Sequence, residues 1–146
     1  MGDFIRYILT EPHDLTLEGV EKGLKQIDPE FAIVVDQAAA NMGDVLLGGE
    51  IFGEIELNRP EDQVFDEDIE DLREQLVDIP PSEKSVVMKA LAKATGMIAF
   101  QLSEEGHDHY GRIDPFWDWL FVHYAGLLQI DDEGYYNQDD QVLEVD

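Results

Sequence analysis

The chain has 146 residues, with 34 acidic and 9 basic side chains and a net charge of −25 at pH 7. An anion this dense repels nucleic acid and anionic lipid and attracts basic surfaces and cations, so nucleic acid and membrane surfaces are excluded as expected partners. Cysteine is absent, which removes disulfides, thiolate metal sites and a cysteine nucleophile.

The apolar fraction of 44% is too high for a disordered acidic tail, and the length suits one domain spanning 1–146. The acids are spread along the chain: residues 1–73 carry 19 against 5 basic residues, and residues 74–146 carry 15 against 4. The start, Met1-Gly2-Asp3-Phe4, lacks the basic region and apolar run of a secretory leader. With no run near the roughly 20 apolar residues of a membrane helix, a cytoplasmic location is the expectation.

Phe4 to Leu9 alternates as a strand. Leu15 to Asp28 places Leu17, Val20, Leu24 and Ile27 on one helical face, with Asp14 or Thr16 as the cap and Pro29 as the stop. Phe31 to Val35 reads as a buried strand, and Gln37 to Gly43 as either a helical turn or a loop. Val45 to Leu47 and Ile51 to Leu57 read as strands around Gly48-Gly49. Strict alternation in the second puts Ile51, Gly53, Ile55 and Leu57 on one face and Glu50, Phe52, Glu54 and Glu56 on the other.

Pro60 opens a helical region in which Phe65, Ile69, Leu72 and Leu76 form an apolar stripe. After Pro80-Pro81, Ser82 is the expected cap of a second helix that buries Val87, Leu91 and Ala94 and stops at Gly96. Met97 to Leu102 reads as a strand and Glu104 to Arg112 as a polar loop. Asp114-Pro115 signals a helix start, with Trp117, Leu120, Phe121 and Tyr124 on one face and Gly126 at its end. Leu127 to Ile130, Tyr135-Tyr136 and Val142 to Val145 complete the strands. The fold class is α+β, an antiparallel or mixed sheet with about four helices, arranged in a ferredoxin-like way or as two βαββ halves.

The sharpest charge pattern lies in 61–78. Asp62, Asp66 and Glu70 fall one helical turn apart, with Glu67, Asp71 and Glu74 beside them. Such like-charge pairs cost an isolated helix about 0.2–0.5 kcal/mol each. They read either as a solvated face or as a fixed stripe that docks on a basic protein, in the extreme by imitating a row of phosphates.

The helix at 114–125 is apolar almost all round, so it is either core or an interface, for a partner or a homodimer, with Phe116 and Trp119 as anchors. His107-Asp108-His109, on an extended segment, would put both imidazoles on one side as metal ligands. The turn at Asp131-Asp132-Glu133-Gly134, followed by Asn137, Asp139 and Asp140, offers oxygens to a hard cation but departs from the EF-hand spacing. Lys84, Lys89 and Lys93 share one helix and are expected to pair with nearby acids.

No nucleophile elbow surrounds Ser82, Ser85 or Ser103, and Gly48-Gly49 lacks the spacing of a phosphate loop. No catalytic residue and no cofactor are therefore assigned. The leading expectation is a non-enzymatic interaction module, of inhibitor, immunity or nucleic-acid-mimic type, that binds a basic protein surface. The alternatives are a metal-dependent or acid–base enzyme using the His107/His109 segment, and a salt-adapted domain whose charge serves solubility alone.

Overall fold

A computed structural model describes residues 4–145; the reading of Met1 and Gly2 lies outside these described residues. The chain runs β1 (Phe4–Leu9), α1 (Leu17–Ile27), β2 (Phe31–Val35), β3 (Met42–Leu47), β4 (Glu50–Asn58), α2 (Gln63–Glu74), α3 (Pro81–Ala92), β5 (Gly96–Leu102), α4 (Glu104–Asp108), a 3-10 turn (Tyr110–Arg112), α5 (Asp114–His123), β6 (Gly126–Ile130), β7 (Gly134–Tyr136) and β8 (Gln141–Glu144).

The eight strands form one sheet in the order β2-β3-β4-β5-β1-β6-β7-β8. Every pairing is antiparallel, so the α+β class holds. The first half runs β1, α1 and three strands; the second runs β5, α4, the 3-10 turn, α5 and three strands, with α2 and α3 between the two halves. The order in the sheet differs between them: β2–β4 return from the edge toward the centre, whereas β6–β8 run from the centre outward.

The two faces of the sheet are covered differently. On one, α1 and α5 press Leu17, Val20, Leu24, Phe116, Trp117 and Leu120 onto Ile5, Tyr7, Phe100 and Leu128. Phe31, Phe52, Phe100 and Trp117 meet in successive edge-to-face contacts, with centroids 5.6, 6.3 and 6.2 Å apart. That is the arrangement their quadrupoles favour. α1 also meets α5 directly. Gly23 gives Trp119 its place, because a Cβ there would lie 2.7 Å from the indole. On the other face, α2 and α3 bury Phe65, Ile69, Leu72, Leu76, Val87 and Leu91 against Ile8, Met97, Leu127, Tyr135 and Leu143. That cover leaves Val34, Met42, Ile51 and Glu54 of β2–β4 exposed.

Local signals explain most element boundaries. Thr16 caps α1, accepting the Gly19 N–H at 3.2 Å. Gly48 and Gly49, at φ 59° and 87°, make the two-residue turn between β3 and β4, whose left-handed backbone suits glycine.

Four expectations need correction. Strict alternation in β4 fails because a bulge opposite Val45/Leu46 shifts the register. Phe52 therefore turns into the core at 0% exposure, while Ile51 faces solvent at 52%. α3 starts two residues earlier than expected, with Pro81 as its first residue and no side-chain cap from Ser82, and it ends at Ala92, short of Ala94 and Gly96. Asp114 is the first residue of α5 rather than its cap, and Gly126 opens β6 rather than closing the helix. The polar segment after β5 is helical: Ser103 caps α4 by accepting the Gly106 N–H at 3.1 Å, and its hydroxyl donates to the Ile51 carbonyl at 2.7 Å.

Candidate functional site

The acidic stripe becomes the outer face of α2. Phe65, Ile69 and Leu72 of the helix and Leu76 just beyond it are buried, which fixes the opposite side toward solvent. Asp66, Glu67, Glu70, Asp71 and Glu74 all stand there, exposed. Gln63 donates to Glu67 at 3.0 Å. Among the described residues no ion pair reaches these five carboxylates. Asp62 stands apart from them. It is half-buried and its carboxylate accepts the Arg59 N–H at 2.8 Å, closing the turn that enters α2. Lys84 of the neighbouring α3 donates to the Leu76 carbonyl at 2.8 Å rather than pairing with an acid.

Asp68, on the inner flank of α2, was not singled out by the sequence. It turns toward the sheet, where burial raises its carboxyl above the usual range while the Arg6 charge opposes that rise. Arg6 projects from β1 and donates to Gln129 at 2.8 Å and to Asp131 at 2.9 Å. Asp131 is thereby held by β1 and β6 and withdrawn from the turn that seemed to offer oxygens to a cation. Asn137 is spent similarly, its side-chain oxygen accepting the N–H groups of Asp139 and Asp140 at 2.8 and 2.7 Å.

The histidine pair does not converge. Both residues lie at the end of the α4 turn rather than on an extended segment, and residues two apart on a helix point about 200° apart around its axis. His109 pairs with Glu105, one turn back, at 2.9 Å. Among the described residues, no group of three or more His, Asp or Glu side chains is placed to hold a metal ion.

The apolar helix α5 is spent mainly on the core. Phe116 is 0% exposed. Trp119 is half-buried, stacked on Phe116 at 5.6 Å and on His123 at 4.4 Å, and its indole N–H donates to Gln26 of α1 at 3.2 Å. The exposed positions of α5 are Asp114, Pro115, Asp118, Val122 and His123.

One concave site was missed by the sequence reading. Between the 3-10 turn, α5 and the β6–β7 hairpin lies a cavity of about 280 Å³. Four rings line it, from Tyr110, Trp117, Phe121 and Tyr136, together with the carboxylates of Asp114, Asp118 and Glu133. Leu128 and Ile130, buried in the sheet, form its floor. Glu133 accepts the Tyr136 hydroxyl at 2.9 Å. Burial pushes the Tyr110 hydroxyl up to about 12; the Trp117 side chain opposes the rise and the carboxylates of Asp114 and Glu133 add to it. The signal was present in the sequence as Trp117 and Phe121 one helical turn apart. Their neighbours Tyr110 and Tyr136 come from separate segments, and only the fold brings them together.

Among the described residues, no helix is long and apolar enough to cross a membrane. Comparison of the chain with protein-family models, with curated proteins and with solved structures gives no match.

Proposed function

We propose that this chain is a non-enzymatic interaction module that binds a basic protein surface through the outer face of α2. The observation that supports this reading is a row of exposed carboxylates left without cationic partners on a helix whose other side is locked to the sheet. Repulsion between like charges one turn apart opposes helix formation, and only those near the N-terminus are eased by the helix dipole. Burial of Phe65, Ile69 and Leu72 overcomes it and holds the charges at fixed spacing, about 5.4 Å per turn. A fixed anionic row steers a complementary surface into place and raises the association rate at low salt. Inhibitors, immunity-type proteins and mimics of a phosphate row all use this physics.

The experiment is capture of partners from a nuclease-treated native extract, with elution by a salt gradient. The expected result is one basic protein released at a defined salt step, with an affinity that falls steeply as salt rises. A broad smear of basic proteins, or a complex indifferent to salt, contradicts the proposal.

A further inference from the structure

We propose that the cavity between α5 and the β6–β7 hairpin is a socket for an alkylammonium group, the charged end of a free amine or of a lysine side chain. The inference is independent of the α2 reading, because the cavity lies on the opposite face of the sheet.

Three observations carry it. First, the lining brings carboxylates and aromatic rings together. An ammonium group has donors and no acceptor, so it needs both the oxygens of Asp118 and Glu133 and the faces of rings such as Trp117, Tyr110 and Tyr136. Second, among the described residues no lysine, arginine or histidine lines the cavity, so its carboxylates are not already neutralised from within. Arg112, in the turn beside Tyr110, is engaged elsewhere, with Asp28 and Glu30. Third, Leu128 and Ile130 give the methylene stem an apolar floor, which a bare metal ion would not use. Anions are disfavoured by these carboxylates and by the charge of the whole chain.

The test uses the two tryptophans, which give two indole N–H resonances. The protein is titrated with n-butylammonium, with n-pentylammonium and with a blocked Gly-Lys-Gly peptide, against the norleucine peptide as the uncharged control. The expected result is a saturable shift of the Trp117 resonance with the cations, little change at Trp119 and no response to norleucine. Tighter binding of the free amines identifies a small-molecule ligand, and tighter binding of the peptide identifies a lysine side chain. The pair Asp118→Asn and Glu133→Gln should weaken binding about five-fold or more, whereas Glu11→Gln with Glu50→Gln, an equal charge change at exposed positions outside the cavity lining, should leave it within about two-fold. Equal weakening by both pairs, or a shift that never saturates, overturns the proposal in favour of diffuse attraction to an acidic protein. Equal response to lysine and norleucine overturns it in favour of a merely apolar pocket.

Discussion

α2 and α5 cover opposite faces of the same sheet, and they handle their side chains in opposite ways. α2 spends three apolar side chains on the sheet and leaves its five outward acids, Asp66, Glu67, Glu70, Asp71 and Glu74, in water without cations. α5 is apolar nearly all round, and what looks like an adhesive surface in the sequence is mostly interior: Phe116, Trp117 and Leu120 are buried, and Trp119 is closed against Gly23 and Gln26 of α1. The comparison teaches that composition alone misplaces the exposed chemistry here. The partly exposed apolar residues of α5 matter chiefly where they meet acids, at the cavity beside Tyr136.

The largest expected break in this comparison comes from emptying the α5 side. Phe116→Ala removes a fully buried ring from the aromatic core and should cost about 3–5 kcal/mol, measured by denaturant unfolding. A loss under about 1 kcal/mol would mean that α5 is not the anchor described. On α2 the sign reverses. Replacing Asp66, Glu70 and Glu74 by Asn, Gln and Gln relieves like-charge pairs and should raise stability at low salt by about 0.2–0.5 kcal/mol per relieved pair, an effect that shrinks as salt is added. Destabilisation at low salt would show that these acids hold the fold together.

The smallest expected effect sharpens the contrast within α2. Asp68 differs from its outward neighbours because burial raises its folded carboxyl above the usual range. The folded state therefore holds that proton to a higher pH than the unfolded chain does. The ionised group costs stability at neutral pH, and the cost vanishes as pH falls below the unfolded value, about 3.9 for aspartate. Asp68→Asn should thus stabilise the protein at pH 7 by a fraction of a kcal/mol, with the gain fading on acidification. A gain that instead grows toward acid pH would contradict the assigned cause.

Much of the fold was legible because its signals are local. Periodicity located the buried stripes of α1 and α2, and alternation located β1. Alternation failed at Phe52 because a bulge depends on the partner strand, Val45 and Leu46, and leaves no mark in β4 itself. The helix at Glu104–Asp108 was hidden by its polarity, although Ser103 supplied an ordinary cap signal. For the sites, the α2 stripe was readable because one helix carries it whole. The aromatic cavity was not, because Tyr110 and Tyr136 reach Trp117 from segments separated in the chain. Asp68 was unremarkable among six acids in α2 until the sheet placed Arg6 near it.

The central claim is that charge at α2, rather than charge in general, selects the partner. It is tested most directly by capturing partners on two variants of equal net charge. One carries Asp66→Asn, Glu70→Gln and Glu74→Gln; the other carries Glu11→Gln, Glu50→Gln and Asp139→Asn at exposed positions off α2. The account predicts that the salt-eluted partner is lost from the first variant and kept by the second. Equal retention, or equal loss, by the two would contradict it.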